Sequence, residues 1–322
     1  NNMKRNLSID LVKGIAMFMV LALHMHVYRP FGMIPSYVYG ICGIAIPLFF
    51  MVSGYLMYGK LVDYQYIKRK LGGVIKFVYI TITIFLLIEY LNGRDFHYRT
   101  YGSWIVQKGY FWHYWYFASM LFIYIMSPLL SKLMKSKYFE FSILLLVVLC
   151  SLAFFLDYAY NWEQKYVKQT FRIWYWIFYF LIGGCIHKYQ GKIPELSWYI
   201  ALCALCIHIV IITLELFGSM TIEYYFGSAS CILASICIFI ACLSTRIEGK
   251  ISIMFVSELS KLFLPVYALH TFLIKSGTII IGIIPKSPHI TIFVNYIGIC
   301  VSMVIISMVV MRIPYVNKIF KL

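Results

Sequence analysis

Charge is what this chain has least of. Only 12% of its 322 residues are Asp, Glu, Lys or Arg, against 62% hydrophobic, and the mean hydropathy is +0.83. A water-soluble domain needs a polar surface and seldom reaches such values. The few charges fall between long apolar runs, so no segment is left that could bury a core and present its own polar exterior. Acidic residues are scarcer still, 12 against 28 Lys and Arg. Cysteines at disulfide or zinc spacing are also lacking. The nine cysteines sit mostly inside apolar runs, as at Cys185, Cys231, Cys237, Cys242 and Cys300. The single C-x-x-C, Cys203 and Cys206, has no second pair to complete a metal site, and these read as buried thiols. The first apolar run lacks a small-x-small cleavage site and carries Asp10 and Lys13, which argues against a signal peptide. No internal repeat is visible, which counts against an inverted-repeat transporter.

What the chain does have is a series of apolar segments of membrane-crossing length. They run approximately 7–29, 36–58, 74–91, 112–134, 141–160, 171–188, 197–217, 224–243, 256–281 and 290–312. This predicts an all-α, polytopic integral membrane protein of about ten transmembrane helices, with residues 1–322 forming one membrane domain. The basic loops set its orientation. Lys4, Arg5, Lys60, Lys68, Arg69, Lys70, Lys132, Lys135, Lys137, Lys188, Lys192, Arg246 and Lys250 fall on one side, against a smaller set that includes Arg94, Arg99, Lys108 and Arg172. By the positive-inside rule both termini are expected in the cytoplasm. The net charge of +16 reflects this bias and affinity for anionic lipid, and gives no reason to invoke nucleic acid. Pro47, Pro128 and Pro265 lie inside spans and are expected to kink them.

Ionisable residues inside hydrocarbon are costly and so are functional candidates. The first span holds Asp10, Lys13 and His24. Asp10 and Lys13 are three apart and pair on one helix face. Lys13 and His24 are eleven apart, about three turns, so they point the same way with roughly 16 Å between them along the axis. A late span carries His270 in Tyr267-Ala268-Leu269-His270, at a depth similar to that of His24. Two histidines at one level in separate helices would suit proton transfer to or from a hydroxyl. His113 opens the fourth span beside Trp115 and Tyr116. The second span contains Phe49-Phe50-Met51-Val52-Ser53-Gly54-Tyr55-Leu56, where Gly54 permits close backbone approach. Lys68, Arg69, Lys70 and Lys76 concentrate positive charge in a short loop at the inner mouth.

Together these segments resemble the acyltransferase-3 family of membrane O-acyltransferases, which modify bacterial surface polysaccharides, lipopolysaccharide and related glycans. The family's basic residue, ten residues, then histidine is matched by Lys13 and His24. Its Phe-Phe-x-x-Ser-Gly-aromatic-Leu is matched from Phe49 to Leu56. Its His-x-Trp-aromatic is matched by His113, Trp115 and Tyr116, and its late Tyr-x-x-His by Tyr267 and His270. The chain departs from the family where two arginines three apart are common, because Arg69 is followed by Gly72.

The resemblance implies a multi-pass protein of the bacterial cytoplasmic membrane. It implies acetyl-CoA or another acyl-CoA as co-substrate, no metal, and a polysaccharide or lipid-linked glycan as acceptor. His24, His270 and His113 would be catalytic. Lys13, Arg69, Lys70, Lys76 and Ser53 would meet the donor, whose phosphates call for cations at the inner mouth. Trp115, Tyr116, Tyr267, Arg94 and Arg172 would meet the acceptor, since rings and guanidinium groups stack on sugars and pair with anions. A homo-oligomer is left open. Some relatives are assigned instead to polysaccharide export or amino-acid supply, so a transporter on the same frame is the alternative.

Overall fold

The computed structural model describes residues 6–27, 33–60, 62–93, 98–217, 225–280 and 288–314. Among these there is no strand. The helices are α1 (Leu7–Val27), α2 (Met33–Cys42), α3 (Ala45–Met57), α4 (Tyr64–Leu91), α5 (Thr100–Ser103), α6 (Trp115–Met134) and α7 (Phe139–Tyr160). They continue with α8 (Trp162–Tyr166), α9 (Ile173–Tyr189), α10 (Trp198–Phe217), α11 (Ala229–Ser244), α12 (Lys250–Ile280) and α13 (Pro288–Arg312). Each of the ten expected apolar segments falls on helix, the second of them on two. Among the described residues, six helical stretches are long and apolar enough to cross a membrane, and shorter apolar helices accompany them.

Two boundaries differ from the sequence reading. The second span is not one kinked helix: it breaks at Gly43–Ile44 into α2 and α3. Pro47 lacks an amide hydrogen and therefore fits the first turn of a new helix, where no partner exists for that group anyway. The turn is closed by Gly43 N donating to Tyr39 O and Ile46 N to Gly43 O. The third span begins a full ten residues earlier, at Tyr64. Asp63 caps it, its side chain accepting from Tyr66 N at 2.7 Å. Lys68, Arg69, Lys70 and Lys76 therefore ride on the first turns of α4 rather than in a loop.

The framework divides into two compact units, Asn1–Val52 with Tyr189–Ile313, and Ser53–Lys188 with Pro314–Leu322. In the first, α1 packs along α12 and also meets α2, α11 and α13, while α10 packs on α11 and α2. Met17 and Leu21 of α1, Leu259, Leu262 and Val266 of α12, and Ile299, Cys300 and Met303 of α13 form its core. Polar groups tie the helices together inside this apolar mass. The Tyr296 hydroxyl donates to Phe18 O at 2.9 Å, and His208 of α10 reaches Ser230 of α11 at 2.9 Å and Gly40 O of α2 at 3.4 Å.

In the second unit the end of α3 lies hard against α9. A β-carbon on Gly54 would stand 1.7 Å from the Phe180 carbonyl oxygen, so only glycine fits this approach. α9 is buried on nearly every side from Tyr175 to Gly184. α7, in contrast, exposes Phe141, Leu144, Val148, Leu152 and Phe155, a lipid-facing row at helical spacing.

Candidate active site

The α1–α12 seam collects the ionisable groups of the first span. Asp10 is buried and accepts from Ser260 Oγ at 2.5 Å. Lys13 approaches the same carboxylate at 3.9 Å and keeps 27% of its side chain exposed. Three turns further along α1, His24 meets His270 of α12 edge to face, with ring centroids 4.5 Å apart. The exposures of these two histidines are 6% and 0%. The seam therefore has an ionic end at Asp10–Lys13–Ser260 and an imidazole pair at the other. One face of α1 carries both, as the eleven-residue spacing requires.

Each imidazole is held by its own helix. His24 Nδ1 lies 3.0 Å from Val20 O, and His270 Nδ1 lies 2.8 Å from Tyr267 O. A carbonyl oxygen only accepts, so Nδ1 of each ring bears the hydrogen and donates. In the neutral rings the basic lone pair then resides on Nε2. Two neutral imidazoles in contact can take up one proton between them far more readily than two, because the second charge is repelled by the first.

Between the ionic end and the pair, Met17, Val20 and Leu21 face Phe263, Val266, Tyr267 and His270 across a cleft too narrow to hold a water molecule. The Phe263 ring is fixed between Phe49, at a centroid distance of 4.5 Å, and Tyr267, at 5.9 Å. Tyr267 is itself buried beside His270, with centroids 5.6 Å apart.

The second unit holds the remaining candidates. Ser53 and Tyr116 are hydrogen-bonded to one another, which joins a residue expected at the donor to one expected at the acceptor. His113 is fully buried in the tight turn Trp112–Tyr114, among the rings of Phe111, Trp112 and Tyr114. Trp115 packs on Trp176 at 5.1 Å. Arg172 is not presented outward. It is 2% exposed, its Nε donates to Val167 O at 3.1 Å, and its Nη1 lies 3.6 Å from Glu163 Oε2. Trp174 Nε1 donates to the other Glu163 oxygen at 3.2 Å. Burial raises the Glu163 carboxyl to about 7 against the opposing pull of Arg172 and of Tyr175, with Asp157 adding to the rise.

Arg69 lies over the Tyr66 ring at 5.7 Å. Lys60, just before α4, is held below its ordinary value first by burial and then by the Arg69 guanidinium. Among the described residues no carboxylate pairs with either cation, so half-buried Lys60 and exposed Arg69 form a cationic pair suited to an anion. Lys76 is exposed on the outward face of α4 that also carries Ile75 and Tyr79, and Lys70 is half-buried. Arg94 lies outside the described residues.

Sequence reasoning missed Ser260, Lys60, Glu163 and the cleft-lining Met17 and Phe263. A signal existed for α12. Ser260, Phe263, Tyr267 and His270 recur at intervals of three and four, which is one helix face. No comparable signal marks Glu163, whose partners come from separate turns.

A family model described as an acyltransferase domain matches residues 6–312, nearly the whole chain. No curated protein and no solved structure matches it.

Proposed function

The chain belongs to the acyltransferase-3 family, and from that premise we propose that it moves an acyl group from a cytoplasmic acyl-CoA to a hydroxyl of an envelope glycan or its lipid-linked precursor, using the His24–His270 pair. The observation that carries this reading is the pair itself: two imidazoles from separate helices in contact inside an apolar seam, each with its tautomer set by a backbone carbonyl. A buried imidazole pair does little for packing that apolar residues would not do better, and an intramembrane ionisable group is functional by default.

In the reaction, His24 Nε2 takes the proton of the acceptor hydroxyl as its oxygen attacks the thioester carbonyl. The new carbon–oxygen bond forms, the carbon–sulfur bond breaks, and the CoA thiolate leaves and recovers the proton. His270 lies beside the imidazolium as it forms and offers the second lone pair through which the proton is handed on. Lys13, at the inner end of the seam, supplies a cation for the CoA phosphates.

The test is direct. Purified protein in lipid nanodiscs is given acetyl-CoA with extracted envelope glycan, and CoA release and glycan O-acetylation are followed together. Glycan-dependent CoA release that disappears in His24→Ala supports the reading; unchanged acylation by that variant overturns it.

A further inference from the structure

Resting on that reading, we propose that Ser260 and Asp10 are positioning residues for the reaction, whose hydrogen bond sets the register of α1 on α12 and so holds His24 against His270. The need for such a device follows from how the rings are held. His24 Nδ1 donates to Val20 O and His270 Nδ1 to Tyr267 O, so each ring moves with its own helix. Their contact, at 4.5 Å between centroids, then depends on how far one helix has slid or turned against the other. A slip of one residue displaces a ring by about 1.5 Å along the axis. A misplacement of about 1 Å can cost on the order of 100-fold in rate.

Apolar packing sets that register poorly. Met17 and Leu21 of α1 meet Leu259, Leu262 and Val266 of α12, and contacts of this kind carry no direction. Inside a bilayer they also lack the driving force they would have in water, since lipid tails are as apolar as leucine. The bond between Ser260 and Asp10 is of another kind. Asp10 is 5% exposed, Ser260 Oγ donates to its Oδ1 at 2.5 Å, and Lys13 stands 3.9 Å from the same oxygen. A hydroxyl donating to a carboxylate makes a short, directional, charge-assisted bond, and polar bonds between helices are what a membrane protein uses to fix their packing. Asp10 and His24 stand roughly 21 Å apart along α1, at 1.5 Å per residue. The seam is therefore pinned at two separated points, and Ser260 acts on the histidines only through the helices that join them.

The seam supplies its own gauge. A β-carbon on Gly14 would stand 3.8 Å from Leu259 Cβ, close to the mean of about 3.8 Å between bridged cysteines. The experiment oxidises the full chain in nanodiscs, carrying Gly14→Cys with Leu259→Cys, by copper phenanthroline and follows the linked peptides by mass spectrometry. Turnover of acetyl-CoA with extracted glycan is measured in parallel on chains without the cysteine pair. The pair should close readily in the otherwise unaltered chain, and roughly threefold more slowly once Ser260→Ala is added. Asp10→Ala should slow it equally, and both changes together no more than either alone, since they remove one bond. Ser260→Ala should lower kcat about tenfold and move the KM for acetyl-CoA less than about twofold, because Lys13 and Asp10 both remain. Ser260→Thr keeps the hydroxyl and should restore both the cross-linking rate and kcat. A pair that never closes, a closing rate that is the same with and without the Ser260 hydroxyl, or a kcat that Ser260→Ala leaves intact overturns the proposal. Failure of wild type to transfer acyl groups instead removes the proposed function, and the cross-linking rates still decide whether this bond sets the seam.

Discussion

His24 stands edge-on to His270 at 4.5 Å between ring centroids, and each donates its Nδ1 hydrogen to a carbonyl of its own helix, Val20 O and Tyr267 O. Main-chain carbonyls hold both rings, so their geometry follows the α1–α12 contact. Replacement of either should cost roughly 100-fold or more in turnover, the range for loss of a general base. Because the rings act as one unit, the double variant His24→Ala/His270→Ala should be no worse than the poorer single variant. Initial rates of CoA release would check this, and multiplicative losses would mean that the rings act independently.

Arg69 and Lys60 crowd one another at the start of α4. An anionic donor relieves that repulsion, so Arg69→Ala should raise the KM for acetyl-CoA about tenfold, as expected for one charge-assisted contact, and leave kcat nearly unchanged. The KM should also climb with ionic strength in wild type and climb less in the variant. A fall in kcat at constant KM would place Arg69 outside donor binding.

Gly54 and Gly72 should respond to alanine with opposite signs. At Gly54 the new β-carbon meets the Phe180 backbone, with the carbonyl oxygen at 1.7 Å and its carbon at 2.7 Å, and backbone in a packed helix cannot yield cheaply. Gly54→Ala should cost on the order of 1–3 kcal/mol or prevent folding. Gly72 lies within α4 with nothing within 4 Å, so Gly72→Ala should stabilise by about 0.5–1 kcal/mol. Thermal unfolding followed by tryptophan fluorescence in detergent distinguishes the two.

Glu163 is 3% exposed, and burial raises its carboxyl from the ordinary value to about 7. A carboxyl raised on folding favours the folded state when it is protonated. Its contribution is therefore complete below the unfolded value near 4.5 and is lost as pH rises through about 7. Wild-type thermal stability should fall between pH 6 and pH 8, by roughly 1–3 kcal/mol, whereas Glu163→Gln should be flat across that interval. A wild-type curve that rises with pH there would mean that the Arg172 ion pair outweighs the burial of the carboxylate.

Much of the membrane architecture was legible from hydropathy alone, because a span must be continuously apolar whatever it packs against. The boundaries were less so. Hydropathy ends the third span where lysine and arginine begin, yet the helix continues back to the cap at Asp63, since long basic side chains are good helix formers whose charged ends snorkel toward water. Pro47 signalled a distortion, but whether it kinks one helix or starts another depends on the turn at Gly43–Ile44. Arg172 looked like an outward cation because its segment abuts a loop. It turns inward because Glu163 and the Val167 carbonyl, nearby in sequence, receive it.

The order of residues by itself determined that this is an all-helical membrane protein, that Lys13 and His24 share a face of α1, and that Tyr267 and His270 lie one turn apart on α12. Periodicity and hydropathy are local properties, and each of these statements needs only one helix. That His24 touches His270, that Asp10 reaches Ser260 across 250 residues of chain, and that Met17 and Phe263 close on the same narrow space were decided by the packing of α1 on α12. No spacing within a single helix encodes which neighbour it meets, or in what register, so these relationships exist only once the helices have assembled.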